Sequence, residues 1–224
     1  TVEDWFWHFK NLLEKDIEND DGTEIESSDS YFNRPISKEE ILLAFRRVKN
    51  GKAPGPDGII GELLKNARDR IIDFFLVFFN ALFQRGLYPE SWTEGIVLPL
   101  YKKGSVNDPG NYRGITLCDI SSKIYSAVIN NRLQEWVQDN NITGEHQAGF
   151  KKNYSTIDHM FTLLALIQKQ FSYNRKLYVA FIDFEKAFDS INRRLLWSIL
   201  VKNGINGNLY RCIRNMYENV KVRV

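Results

Sequence analysis

The residue whose position most suggests chemistry is Asp183, which directly follows the apolar run of residues 177–182. Length and composition predict that this run is a buried strand. A carboxylate at the end of a buried strand is costly unless a metal ion or hydrogen bonds compensate its charge. Asp183 is therefore either a metal ligand or a turn cap, with Asp189 capping the next helix in the second case. The pattern alone favours neither of these two interpretations.

Several other chemistries are not supported by the residues present. No GxxxxGK[ST] phosphate loop occurs in the chain, and the order Asp183-Phe184-Glu185 is not the Asp-x-Asp of an aspartyl-phosphate enzyme. The three histidines are expected to lie at the surface or the core edge, and they are His8, His146 and His159. Cys118 and Cys212 are too few for a disulfide framework or a zinc site, which favours a reducing, intracellular compartment.

The chain is expected to contain both helices and strands, and the predicted fold is α/β in the broad sense. Apolar spacing predicts helices over residues 3–15, 38–50, 59–67, 69–85, 120–138, 155–173, 190–203 and 206–219. Strands are expected over residues 94–101, 115–117 and 177–182, and another begins in residues 220–224.

Start and stop signals fix several of these boundaries. Ser37 and Glu40 form a capping box, and Ser155 with Asp158 forms a second cap pair. Asp119 is the expected N-cap of the helix that follows it. Residues 51–59, GKAPGPDGI, are too rich in proline and glycine for regular structure.

Charge is distributed unevenly over the 224 residues. Residues 1–30 hold ten acidic and two basic side chains, whereas residues 31–224 hold 18 acidic and 28 basic ones. A body of net charge +10 suits a polyanionic partner, although surplus lysine also serves solubility. No apolar run reaches the roughly 18 residues of a membrane span, so no membrane partner is expected.

Ordered motifs along the chain resemble the reverse transcriptases of non-LTR (LINE-type) retrotransposons. The run LYVAFIDFEKAFDSI resembles motif A of that family. The other matching segments are GKAPGPDGI, WTEGIVLPLYKKG, DPGNYRGITL, KIYSAVINNRL and QAGFKK, which occur in the family's order over roughly residues 36–205. One departure is Gly114, where the family usually has proline, and we expect this change to loosen a loop.

The resemblance implies roles for the residues of motif A. Asp183 and the backbone carbonyl of Phe184 would bind Mg²⁺, of which the complete active site holds two ions. Phe188 would exclude a ribose 2′-OH and so select deoxynucleotides, although simple core packing is the alternative reading.

The resemblance also implies contacts to nucleotide and template. Arg113 would lie over the incoming nucleotide, and Lys102 or Lys103 would contact its phosphates unless both lysines belong to an ordinary solvated turn. A template-contacting element would comprise Gln147, Gly149, Phe150, Lys151 and Lys152.

The implied architecture is a right-hand polymerase with mostly helical fingers and a truncated antiparallel palm sheet. The expected divisions are an N-terminal acidic extension (residues 1–35), fingers (36–175) and the first part of the palm (176–224). The family's later Asp-Asp pair does not occur between Asp183 and Val224. The 224-residue chain alone is therefore expected to be inactive and a poor independent folder.

The expected function is RNA-directed DNA synthesis in the nucleus and cytoplasm, as part of a longer parent. Its partners would be RNA template, DNA primer and deoxynucleoside triphosphates, with the missing palm and thumb supplied by the parent chain or another polypeptide. The alternative is a catalytically silent module that only binds RNA or protein.

Overall fold

The computed structural model describes residues 1–13, 30–151, 153–184 and 186–224. Its α-helices are α1 (Val2–Leu13), α2 (Ser30–Asn33), α3 (Lys38–Phe45), α4 (Gly61–Gln84), α5 (Ile120–Asp139), α6 (Thr156–Ser172), α7 (Arg193–Lys202) and α8 (Gly207–Asn215). The strands are β1 (Glu94–Tyr101), β2 (Tyr112–Leu117) and β3 (Lys221–Arg223). Two short 3₁₀ helices, Glu90–Thr93 and Pro109–Asn111, precede β1 and β2. The described residues thus combine many helices with one small sheet, as the predicted α/β class requires.

The three strands form one sheet in the order β2-β1-β3. β1 and β2 are antiparallel with Leu100 opposite Arg113, whereas β3 runs parallel to β1 with Glu94 opposite Lys221. The predicted bounds of β1 are confirmed, and the strand at the end of the chain is confirmed as β3. β2 is longer than predicted because it begins at Tyr112 rather than Ile115.

The helices before the sheet follow their predicted signals closely at the N-terminus. The capping box of α3 is confirmed, since the Glu40 N–H donates to Ser37 Oγ at 3.3 Å and the Ser37 N–H donates to Glu40 Oε2 at 2.8 Å. α3 already ends at Phe45, earlier than predicted. The prediction of two helices over residues 59–67 and 69–85 is wrong, because α4 is continuous. Ala67 and Arg68 are good helix formers and give the backbone no reason to break there.

Aromatic side chains of α3, α4 and α5 form the centre of the core. The ring centroids of Phe75 and Phe79 lie 5.0 Å apart, and those of Phe79 and Tyr125 lie 5.1 Å apart. The Tyr125 hydroxyl lies 3.2 Å from Cys212 Sγ in α8, and burial raises the pKa of that thiol to about 11. Both cysteines are free, so Cys212 acts here as a small buried side chain.

A buried arginine joins α5 to the segment before α3. The Arg132 side chain is 1% exposed, and its Nε donates to Glu40 Oε1 at 2.6 Å. Its terminal nitrogens donate to the carbonyl oxygens of Arg34 at 2.7 Å and Pro35 at 2.8 Å. The guanidinium also lies over the Phe83 ring, 4.9 Å from the centroid. These contacts satisfy a charge that would be costly to bury alone.

The described chain divides into two compact units. The first comprises residues 1–135 and 188–224, and the second comprises residues 136–187. In the first, the N-cap of α7 is Asn192, whose side chain accepts a hydrogen bond from the Leu195 N–H at 3.0 Å. The helix therefore starts at Arg193 rather than Ser190, and the interpretation of Asp189 as its cap is wrong. The domain boundaries at residues 35 and 175 stay a prediction.

In the second unit, the predicted helix α6 is confirmed, whereas the predicted strand over residues 177–182 does not form. α6 begins after Ser155 with the predicted capping box, because the Ser155 N–H donates to Asp158 Oδ2 at 2.8 Å. Residues 177–182 are exposed and form no strand, so the prediction of a buried strand is wrong for this structure. The physical reason is pairing, since none of the described residues hydrogen-bonds to this segment as a neighbouring strand.

Candidate functional site

The β1–β2 hairpin has two faces of different character. Residues opposite each other in an antiparallel pair point to the same side of the sheet, and neighbours along a strand point to opposite sides. Leu100 pairs with Arg113 and Pro99 pairs with Gly114. Arg113 and Gly114 therefore belong to different faces, and the structure covers only one of these faces with α1.

α1 covers the face that contains Gly114. The Trp5 ring meets the Tyr112 ring edge-on at 4.6 Å between centroids, and Phe9 is 1% exposed. A Cβ atom added at Gly114 would lie 2.6 Å from Phe9 Cε1 and 3.1 Å from Val97 Cγ1. The expectation that Gly114 loosens a loop is wrong, because this residue lies within β2 and gives α1 room to pack.

The opposite face, called here the open face, contains Arg113 together with exposed aliphatic side chains. The aliphatic residues of the open face are Leu98, Leu100 and Ile115, each close to half exposed. Arg113 is exposed as well. An exposed arginine beside a flat aliphatic surface can combine planar stacking with charged hydrogen bonding to a ligand.

The loop between β1 and β2 is ordered by its own hydrogen bonds. The Lys102 N–H donates to the Asn111 carbonyl at 2.9 Å, and Asn111 Nδ2 donates to the Ser105 carbonyl at 3.0 Å. The Tyr112 hydroxyl donates to the Val106 carbonyl at 2.9 Å. Lys102 and Lys103 are both exposed on this ordered loop. Its geometry therefore fits both the phosphate contact and the solvated turn that the sequence left open.

The predicted template element consists of consecutive tight turns in the second unit. The Gln147 N–H donates to the Gly144 carbonyl at 3.1 Å, and Phe150 has a φ of 63° and is 84% exposed. Gly149 leaves only ordinary contact space, since an added Cβ would lie 3.5 Å from Gln147 Nε2. Lys152 lies outside the described residues.

Lys151 makes contacts that the sequence did not reveal. Its Nζ donates to the carbonyl oxygens of Thr143 at 3.2 Å and Gly144 at 3.1 Å, and it lies 5.1 Å from the centroid of the Tyr154 ring. Backbone carbonyls give no side-chain signal, so no sequence pattern could have predicted these bonds. Lys151 therefore holds its own loop together in this structure.

The motif A residues are exposed rather than buried. Asp183 directly follows residues 177–182 in the second unit and is exposed, and Phe184 is 77% exposed. Phe188 belongs to the first unit and is 73% exposed, which disagrees with a role in core packing. Asp183 and Arg113 belong to different units. That both contact the same nucleotide therefore stays a prediction. Within the described ranges, no group of three His, Cys, Asp or Glu side chains could hold a metal ion.

The contact that sequence reasoning missed is the packing of α1 on the hairpin. The helical spacing of Trp5 and Phe9 predicts a shared apolar side, but it does not reveal which surface this side covers. Gly114 was the available signal, since a glycine inside a strand often marks a close approach. No helix in the described part of the chain is both long and apolar enough to cross a membrane.

Comparison with known proteins shows which family this sequence resembles. Residues 100–223 match the model of the family described as reverse transcriptase (RNA-dependent DNA polymerase). The chain is 30% identical over 159 residues to the probable RNA-directed DNA polymerase from transposon BS of Drosophila melanogaster, and 28% identical over 158 residues to that from transposon X-element of the same species. It is also 28% identical over 160 residues to the Pol polyprotein from type-1 retrotransposable element R1 of Bradysia coprophila.

These similarities cover 70% of the chain in each case but only 18%, 17% and 15% of the respective relatives. The chain thus spans less than a fifth of the length of these relatives. The family match alone includes more than half of the chain, and it contains Leu100, Arg113 and Ile115 of the open face together with motif A. The chain is therefore a segment that belongs to the reverse transcriptase family, of the kind found in non-LTR (LINE-type) retrotransposons.

Proposed function

We propose that this chain supplies the nucleotide-contacting fingers and the first metal-binding segment of a right-hand RNA-directed DNA polymerase. The observation that carries the proposal is the two-sided hairpin, which is packed on one face and open on the other. Arg113 lies on the open face with exposed aliphatic neighbours. A rigid support behind an exposed cation is the arrangement that positioning of a triphosphate requires.

Arg113 and the loop lysines make different contacts with the incoming nucleotide. The guanidinium of Arg113 offers a planar face to the base or sugar and paired N–H donors to phosphate oxygens. Lys102 and Lys103 offer point charges on a loop that internal hydrogen bonds already order. Preordering of this loop lowers the entropy that binding must offset.

The Asp183 carboxylate and the Phe184 carbonyl are the proposed ligands for Mg²⁺. Both are hard oxygen donors, which this cation prefers, and both residues are exposed. When bound, the ions stabilise the charge that develops during in-line phosphoryl transfer. The two residues fit part of a two-ion site, and further carboxylates must complete it.

The turns around Gln147, Gly149 and Phe150 form the proposed contact with the RNA template. An exposed aromatic ring at the tip of a turn can stack on an unpaired base. Lys151 contributes by fixing the loop through the carbonyls of Thr143 and Gly144. Lys152 is the lysine proposed to reach the template phosphates.

The proposed partners are an RNA template, a DNA primer and deoxynucleoside triphosphates, in the nucleus and cytoplasm. Residues 1–35 are then an extension, residues 36–175 the fingers and residues 176–224 the first part of the palm. The remaining palm and the thumb would come from the parent chain or from another polypeptide. A catalytically silent module is not favoured, because the relatives from transposon BS and transposon X-element are named as probable RNA-directed DNA polymerases.

The direct test replaces Asp183 with Asn in the full-length parent enzyme. This change removes the charge but little volume, so we expect DNA synthesis to fall at least about 100-fold, as for loss of a metal-dependent transition-state contact. RNA binding should remain within about twofold, since phosphate contacts by cations dominate it. Primer extension and filter binding measure the two effects.

The matched control is Asp139→Asn, which makes the same change at an exposed position at the end of α5. It should leave both measurements unchanged. Near-normal polymerisation by Asp183→Asn would refute the metal assignment and would leave the silent module as the better reading.

Phe188→Ala tests sugar selection in the same parent enzyme. Loss of the exposed ring should allow ribonucleotides to be incorporated with modest loss of deoxynucleotide incorporation. The measurement is the ratio of kcat/KM for a deoxynucleotide to that for the matching ribonucleotide. An unchanged ratio would remove Phe188 from the nucleotide site.

A further inference from the structure

A concave cavity of about 210 Å³ lies between the end of α3, the following loop and the first turns of α5. Aliphatic side chains provide its floor, and four cations provide its rim. The floor residues are Ala44, Val48, Ile120, Ile124 and Ala127. The rim residues are Arg47, Lys49, Lys52 and Lys123, and no carboxylate lines the cavity. The open face and motif A contribute no residue to it.

The loop after α3 provides three of the four rim cations, and it is held against the start of α5 and the first turns of α4. The Asp57 N–H donates to Asp119 Oδ1 at 3.1 Å, and an added Cβ at Gly55 would collide with the backbone of Asp119. Asn50 Oδ1 accepts a hydrogen bond from Lys65 Nζ at 3.0 Å, and the Gly51 N–H donates to Glu62. The cavity is therefore a built feature of the fold, and a ligand would meet it already formed.

The floor is also closely packed from below. An added Cβ at Gly61, the first residue of α4, would lie 2.7 Å from Val48 Cγ1 and 3.9 Å from Ile120 Cδ1. Ile120 and Ile124 are almost completely buried, so their side chains cannot turn away to close the cavity. Close packing gives the floor a fixed shape that can select an aliphatic group of one size.

The rim carries an excess of positive charge. In the described part of the chain, no carboxylate lies within salt-bridge distance of the four rim cations. Asp119, whose pKa burial raises, acts on Lys123 only through space, and its Oδ1 already accepts the Asp57 N–H. Four exposed cations around an apolar centre favour a ligand that is apolar in the middle and anionic on both sides.

We infer that this cavity binds an acidic peptide segment of a partner protein, with one aliphatic side chain in the cavity and flanking carboxylates on the rim. A nucleic acid would also match the charge, but bases are usually held by aromatic side chains. The lining contains no aromatic residue. The aliphatic floor therefore favours a peptide over a nucleic acid strand.

The test uses the full-length parent enzyme and two fluorescein-labelled peptides. The first has the sequence Glu-Asp-Glu-Leu-Glu-Asp-Glu, and the second has serine in place of leucine. Fluorescence anisotropy should show saturable binding of the leucine peptide, with the serine peptide at least about fivefold weaker because one buried aliphatic group is lost. Equal binding of both peptides would refute a role for the apolar floor.

Two variants locate the binding. Arg47→Glu combined with Lys123→Glu should weaken binding of the leucine peptide at least about tenfold, since two attractive charges become repulsive. Arg70→Glu combined with Lys202→Glu changes the net charge equally at exposed positions outside the cavity, and it should change the Kd less than twofold. Ala127→Leu fills the cavity without any change of charge. It should weaken binding of the leucine peptide but leave the weaker binding of the serine peptide unchanged.

Circular dichroism verifies that each variant is folded. If Arg47→Glu combined with Lys123→Glu does not fold, Ala127→Leu provides the test of the cavity instead. Equal weakening by the cavity pair and the control pair would overturn the proposal. A nucleic acid ligand would give a different result. A twelve-nucleotide oligouridine would bind the protein, and Arg47→Glu combined with Lys123→Glu would abolish that binding. The proposal would fail if this were observed while the leucine peptide neither bound nor displaced the oligouridine.

Discussion

The helices α4 and α6 are both amphipathic, but only α4 has its apolar side buried. In α4, Phe79 is fully buried and contacts Phe75 and Tyr125. In α6, no residue is buried, and Phe161 is 72% exposed. α4 packs against α3 and α8 within the first unit. The comparison teaches that local sequence is sufficient for a helix, whereas burial depends on the surfaces that the rest of the fold provides.

The largest expected difference in unfolding free energy is between phenylalanine-to-alanine substitutions in α4 and in α6. Phe79→Ala should lower the free energy of unfolding by about 3–5 kcal/mol, because a fully packed ring leaves a cavity. Phe161→Ala should change it by less than about 0.5 kcal/mol, since its ring is already in solvent. Urea denaturation followed by circular dichroism measures both. Similar costs would show that α6 is packed in solution and would break the comparison.

The next effect tests the packed face of the hairpin. Gly114→Ala should cost about 1–3 kcal/mol through overpacking against Phe9 Cε1 and Val97 Cγ1. The same change made in a Phe9→Ala background should cost less, with a coupling energy of about 1 kcal/mol. Hydrogen exchange of residues 2–13 measures the release of α1. If Gly114→Ala costs the same in both backgrounds, α1 does not pack on this face.

The smallest effect compares the two capping boxes as the pH falls. Burial alone would raise the pKa of Glu40, but hydrogen bonds from Arg132 and the Ser37 N–H lower it below its usual value. In the second unit, the pKa of Asp158 is lowered by hydrogen bonds from Ser155 at a fully exposed site. A carboxyl group with a lowered folded-state pKa stabilises the fold above its unfolded pKa, about 4.3 for Glu, and this stabilisation is lost as pH falls.

We therefore expect Glu40→Gln to flatten the decline in unfolding free energy below about pH 4.3 more than Asp158→Asn does. Denaturation midpoints measured between neutral and acidic pH test this difference. The reason is that Glu40 neutralises the buried Arg132 guanidinium, whereas Asp158 interacts with solvent as well as with its cap. An equal response of the two variants would mean that the Arg132 contact adds nothing to the capping box.

Local signals in the sequence determined many element boundaries and the family. The capping boxes at Ser37 and Ser155 and the strand of residues 94–101 were predictable, because each depends on neighbours within a few residues. The order of the motifs identified the family, which the comparison confirms. The roles of Asp183 and Arg113 stay predictions, since they concern a ligand.

Tertiary structure alone decided which of these surfaces are covered. Residues 177–182 have the composition of a buried strand, but a strand forms only where another segment supplies hydrogen bonds, and none of the described residues does so here. In the same way, the sequence predicts α1 but not its position over Gly114, and it contains Lys151 but not that lysine's carbonyl partners. Contacts between residues distant in the chain depend on complementary shape and unpaired polar groups, which no local pattern specifies.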